Sequence, residues 1–107
     1  VADRVRSVAW ALSAQAALDE VIAYIDAGSP ANARRDLLAA LDAAASLASF
    51  AERGRVVPEL ADPEVRELLV LNYRLMYRVS ARDVTVVAFL RGVRDFEVWR
   101  RDQVIDE

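Results

Sequence analysis

Val65 to Arg91 reads VRELLVLNYRLMYRVSARDVTVVAFLR, and this stretch decides the fold. Apolar and polar residues alternate through much of it, the two-residue period of strands that pack on one face. We read three strands, Val65–Leu71, Asn72–Val79 and Val84–Arg91, separated at Asn72 and by Ser80-Ala81-Arg82-Asp83. Connections this short favour an antiparallel meander. In the middle strand Tyr73, Leu75, Tyr77 and Val79 point to one side, and Arg74, Met76 and Arg78 to the other. One face is expected to pack and the other to carry cations.

Upstream of Gly54 the period is helical. Leu18, Val21, Ile22 and Ile25 fall at i, i+3, i+4 and i+7, one stripe of a first helix for which Ser13 is the expected N-cap. Gly28, Ser29 and Pro30 then stop that helix and start another, with glycine terminating, serine capping and proline at the first helical position. The second helix, Pro30 to about Ala51, presents Leu37, Leu38, Leu41, Ala45 and Ala48 on a stripe. Its alanines suit either close packing inside the pair or a surface for a second copy or partner. So short a linker predicts an antiparallel helical hairpin. Val5–Trp10 reads as an N-terminal strand, and Val93–Glu107 as either a short extra strand or a loose extension. The expected architecture over residues 1–107 is one α+β domain: a strand, a helical hairpin and a three-stranded meander in one sheet.

Composition narrows the chemistry. The 107 residues include neither cysteine nor histidine, which removes the commonest zinc ligands and the commonest general base. No metal or cofactor is expected, and any chemistry falls to carboxylates, tyrosines and arginines. No apolar run is long enough to cross a bilayer. The opening segment carries Asp3, Arg4 and Arg6 rather than a signal sequence, so a cytoplasmic protein is expected, with Val1 read as lying downstream of a native start. The net charge of −3 is unevenly spread: −3 over residues 1–52, +3 over 53–101 and −3 over 102–107. All fourteen cations are arginine, which fits a GC-rich genome and also suits bidentate recognition of phosphate or carboxylate.

Several segments, in order, resemble the RelE/ParE toxins of bacterial type II toxin–antitoxin systems. They are Trp10-Ala11 before Ser13, Ala16, Leu18, Ile22 and Tyr24-Ile25; Ser29-Pro30-Ala31-Asn32-Ala33; Gly54-Arg55-Val56-Val57-Pro58-Glu59-Leu60; Arg66-Glu67-Leu68; Tyr73-Arg74-Leu75-Met76-Tyr77-Arg78-Val79; and Gly92-Val93-Arg94-Asp95. The resemblance implies the fold already read from the residues, together with a cognate antitoxin that binds and neutralises the toxin, and oligomers formed through it. RNA-cleaving relatives commonly carry histidine, lysine or glutamate in catalytic positions, and many have histidine where this chain has Arg91. The lack of such a set favours the ParE-like branch, whose implied target is DNA gyrase. The alternatives are a ribosome-dependent mRNA endonuclease, with Glu59, Arg78 and Arg91 as catalytic candidates, and a non-toxic interaction module with the same fold.

Candidate sites follow. Arg55, Arg66, Arg74, Arg78, Arg91 and Arg94 are the expected target-binding residues if the strand register gathers them on one side, with Glu59, Glu64 and Glu67 available as ion-pair partners. Single replacement of Arg74, Arg78 or Arg91 by alanine is expected to leave folding nearly intact. Leu18, Val21, Ile25, Leu37 and Leu41 are the expected antitoxin-binding groove. Tyr73 and Tyr77 are read as core aromatics. Trp99, beside Arg100 and Arg101, is either a partner-binding hook or the closure of the core edge.

Overall fold

The computed structural model describes residues 5–105. In chain order the elements are β1 (Ser7–Trp10), α1 (Leu12–Gly28), α2 (Pro30–Ser46), β2 (Arg55–Val56), β3 (Val65–Val70), β4 (Tyr73–Val79), β5 (Asp83–Leu90) and α3 (Gly92–Ile105). The strands form one sheet in the order β1-β5-β4-β3-β2, with β1 parallel to β5 and every other pairing antiparallel. This is the α+β architecture expected, with additions.

The helical hairpin turns where the sequence places it. The Ser29 hydroxyl accepts the Asn32 N–H at 3.2 Å and Pro30 opens α2. Gly28 needs no left-handed conformation, because Ser29 itself leaves the helix in extended geometry. The expected Ser13 cap is displaced: α1 already begins at Leu12, behind Ala11, with no side-chain cap. Helix α2 ends at Ser46 rather than near Ala51. There the Ser46 hydroxyl donates to the Ala43 carbonyl at 2.7 Å, and Leu47 and Ala48 bond three residues back, tightening the last turn.

The hairpin packs on the sheet face that carries Leu75, Tyr77, Val84, Val86 and Phe89, meeting it with Ala14, Leu18, Ala40, Ala44 and Leu47. Tyr77 is fully buried and Tyr73 stacks on Phe89 at 4.9 Å, so both tyrosines are core aromatics. From β1, Val8 and Trp10 turn toward this core while Ser7 and Ala9 are exposed, the alternation of a strand with one packed face.

The opposite face corrects two expectations. The tail is neither strand nor loose extension but α3, which lays Phe96 and Trp99 over Val57, Val65, Met76, Ala88 and Leu90. Asp95 in its first turn accepts the Arg91 N–H at 3.1 Å. The face of Arg74, Met76 and Arg78 is therefore not simply a cationic surface: Met76 is buried between its arginines in a second core. Trp99 closes the edge of that core, 5.9 Å from Phe96.

Candidate functional site

Strand pairing sorts the arginines. Arg55 lies opposite Glu67, and Glu67 opposite Met76, so Arg55, Glu67, Arg74 and Arg78 share the α3 face. Arg66 lies opposite Tyr77 and so belongs to the hairpin face, where its guanidinium donates to the Gly54 carbonyl at 2.7 Å. Arg91 and Arg94 follow β5, exposed at the start of α3. The six arginines thus do not form one patch; three of them do.

Those three are tightly countered. Glu67, only 6% exposed, accepts Arg55 Nε and Arg74 Nε on separate carboxylate oxygens, both at 2.6 Å. With its Nε held there, Arg74 turns its terminal nitrogens outward as a fork, and Glu59 fills the fork at 2.9 and 3.1 Å. The guanidinium also lies 4.8 Å from the centre of the Phe96 ring. Farther along β4, Arg78 pairs with Asp62 at 3.0 Å and Glu64 at 3.5 Å. Glu59, Asp62 and Glu64 all come from the segment between β2 and β3.

These contacts set the charge states. Hydrogen bonding to Arg74 holds the Glu59 carboxyl below its ordinary value. The Glu64 backbone N–H does the same for Asp62, assisted by Arg78. Burial disfavours the charge on Arg74, but its bonds to Glu59 and Glu67 outweigh that and raise its pKa. Burial pushes Tyr77 upward. A proton-transfer set built on Glu59, Arg78 and Arg91 is not assembled: Glu59 belongs to Arg74, Arg78 to Asp62 and Glu64, and no described hydrogen bond links the three. Among the described residues there is no cluster of metal-ligating side chains.

Beside the Glu67 clamp lies a cleft of about 530 Å³ lined also by Arg53, Gly54, Arg55, Glu59, Leu68, Leu69 and Arg74. Sequence reasoning missed the contributions of Arg53, Leu68 and Leu69. The two-residue turn at Leu71-Asn72, which pairs Val70 with Tyr73, carried the register that places Leu68 and Leu69 opposite Leu75 and Arg74; Arg53, in the loop before β2, had no such signal. On the hairpin, Leu18 is buried against the sheet, Val21, Ile25 and Leu37 are half-buried, and Leu41 is exposed. The expected groove is therefore largely filled by the hairpin's own packing, and Leu41, with neighbouring Leu38, is its accessible rim.

The chain is thus a small α+β domain with a helical hairpin on one sheet face and α3 with an arginine-bearing cleft on the other. Residues 8–96 match the family described as ParE toxin of type II toxin-antitoxin system, parDE, and the chain belongs to that family. A solved structure described as the chromosomal ParDE TA system from P. aeruginosa shares the fold, with a TM-score of 0.69 at 20% identity, covering 84% of this chain and 99% of that one. No curated protein matches significantly. No described helix is long and apolar enough to cross a membrane.

Proposed function

We propose that this ParE-family toxin acts in the cytoplasm by binding DNA gyrase and inhibiting it, and that a cognate antitoxin neutralises it. Family membership over residues 8–96 carries the reading. The state of Glu59 supports binding over RNA cleavage. A carboxylate held ionised by Arg74 is a weak base and is not a proton donor near neutral pH. With neither histidine nor lysine in the chain, the other groups at the site are arginines, which stay protonated in proteins, and the carboxylates Glu67, Asp62 and Glu64, each of which is engaged with an arginine. Target contact is assigned to Arg55, Arg74 and Arg78 on the sheet, with Arg91 and Arg94 beside them and Arg66 on the far face. Antitoxin contact is assigned to the hairpin, with Leu41 at its accessible rim and Val21, Ile25 and Leu37 behind it.

Two assays on the purified chain test this: gyrase supercoiling with trapped cleavage products, and message cleavage on translating ribosomes. Inhibition in the first with no cuts in the second is expected. Codon-positioned cuts with no effect on gyrase would overturn the reading. Antitoxin neutralisation is tested by co-expression with the adjacent small gene product, which should purify as a stable complex and relieve growth inhibition.

A further inference from the structure

We propose that the cleft beside Glu67 is a docking site for a carboxylate-bearing, aliphatic segment of a partner protein, and that Glu59 is its resident competitor. The inference rests on reading this face as a partner-binding surface, and its test needs no gyrase. Glu67 fixes Arg55 and Arg74 through their Nε atoms alone. The terminal nitrogens of Arg74 hold Glu59, and no described hydrogen bond engages those of Arg55, which is 71% exposed. The site therefore presents two guanidinium forks whose geometry matches carboxylate, and one already holds a carboxylate. That resident comes from an exposed loop position, 41% accessible, so it can swing away without disturbing the core.

Depth and lining argue for a peptide over nucleic acid. Arg74 is only 16% exposed, at the floor beneath Glu59 and against Phe96. A duplex backbone cannot follow it there, whereas a single acidic side chain can. One wall is apolar: Leu69 is 78% exposed and belongs to the part of β3 that the two-residue β2 leaves uncovered. An alternating acidic and aliphatic segment satisfies both walls, and the cleft volume lies in the range of ligand pockets, roughly 300–1,000 Å³.

The probe is a short, end-blocked, fluorescein-labelled peptide of alternating glutamate and leucine, titrated with the full chain and read by anisotropy. Glu59→Gln removes the resident charge and is expected to tighten binding by about two- to fivefold, the scale of a part-exposed ion pair. Arg55→Ala and Leu69→Ser are expected to weaken it, and Leu69→Ser alters only an exposed side chain. A peptide with glutamine in place of glutamate should not bind. Unchanged or weaker binding by Glu59→Gln in a protein that still melts cooperatively overturns the proposal. So does a DNA duplex that displaces the peptide while Leu69→Ser has no effect, which would make the face a general polyanion surface. Gyrase inhibition persisting in either case would leave the proposed function standing and remove only this site.

Discussion

The backbone N–H of Gly54 donates to the buried hydroxyl of Tyr77 over 3.0 Å, tying the strand that enters the cleft to the centre of the sheet. A Cβ at Gly54 would lie 2.5 Å from the Glu67 carbonyl oxygen and 2.6 Å from the Tyr77 hydroxyl. Gly54→Ala is therefore expected to destabilise the fold by about 2 kcal/mol or more, because backbone on one side cannot yield. Tyr77→Phe, which leaves the Gly54 donor without its partner, should cost about 1–3 kcal/mol. Urea unfolding checks both.

Arg74 and Arg78 are expected to differ sharply although both lie on β4. Arg78 makes half-exposed ion pairs, and Arg78→Ala should cost within about 1 kcal/mol. Arg74→Ala strips the buried Glu67 of one of its two cations and opens the Glu59 loop, and about 2 kcal/mol or more is expected. The ion pair with buried Glu67 therefore replaces, for Arg74, the expectation from sequence that folding stays nearly intact with a prediction of substantial loss. Unfolding midpoints of the two variants decide this, and any loss of function in Arg74→Ala must be read against its stability.

Acid should loosen the Glu59–Asp62 segment first. Both carboxyls have pKa values depressed below their ordinary 4.5 and 3.8, so their contribution to stability is present above those values and is lost as pH falls through the lower folded ones. Stability is expected to decline below about pH 4.5, and Glu59→Gln should flatten the upper part of that decline. The opposite end mirrors it. Burial raises Tyr77 above 10, so the fold keeps it neutral, and stability should fall as pH rises beyond about 10. Denaturation midpoints across pH measure both limbs.

Leu71 is a non-glycine residue with φ of 58° in the two-residue turn between β3 and β4, and its side chain is half exposed. Left-handed backbone costs a β-carbon about 1 kcal/mol. Leu71→Gly is expected to stabilise the protein slightly, or at least to be neutral, despite losing apolar surface. A lower melting temperature would contradict this.

Phe96 is the fully buried anchor of α3, and the indole N–H of Trp99 beside it is buried without a partner among the described residues. Phe96→Ala should cost about 3–5 kcal/mol and release α3, visible as lost helical circular dichroism with the sheet retained.

The sequence by itself determined the local geometry. Period-two alternation fixed which side chains share a face through β3 and β4, whereas in β5 a bulge opposite Met76 and Tyr77 breaks it and leaves Val86 and Phe89 on one face and Val87 and Ala88 on the other; the Ser29-Pro30 junction, with Asn32 beneath the serine, set the helical hairpin. The grouping of Tyr73 with Tyr77, and of Arg74 with Arg78, was legible because adjacent side chains on a strand must point oppositely. Tertiary structure decided what covers each face. Nothing local in residues 93–105 distinguishes a docked helix from an extension, since Phe96 and Trp99 gain their burial only from a floor of Met76, Ala88 and Leu90 on other strands. The parallel place of β1 beside β5 likewise joins strands separated in the chain by the hairpin and by β2, β3 and β4, a pairing that no local pattern in residues 5–10 encodes. The same long-range pairing put Arg66 on the hairpin face and closed Arg74 between Glu59 and Glu67. Periodicity reports which way a side chain points, whereas a site depends on which distant residues meet it, and burial of apolar surface across the whole chain settles that.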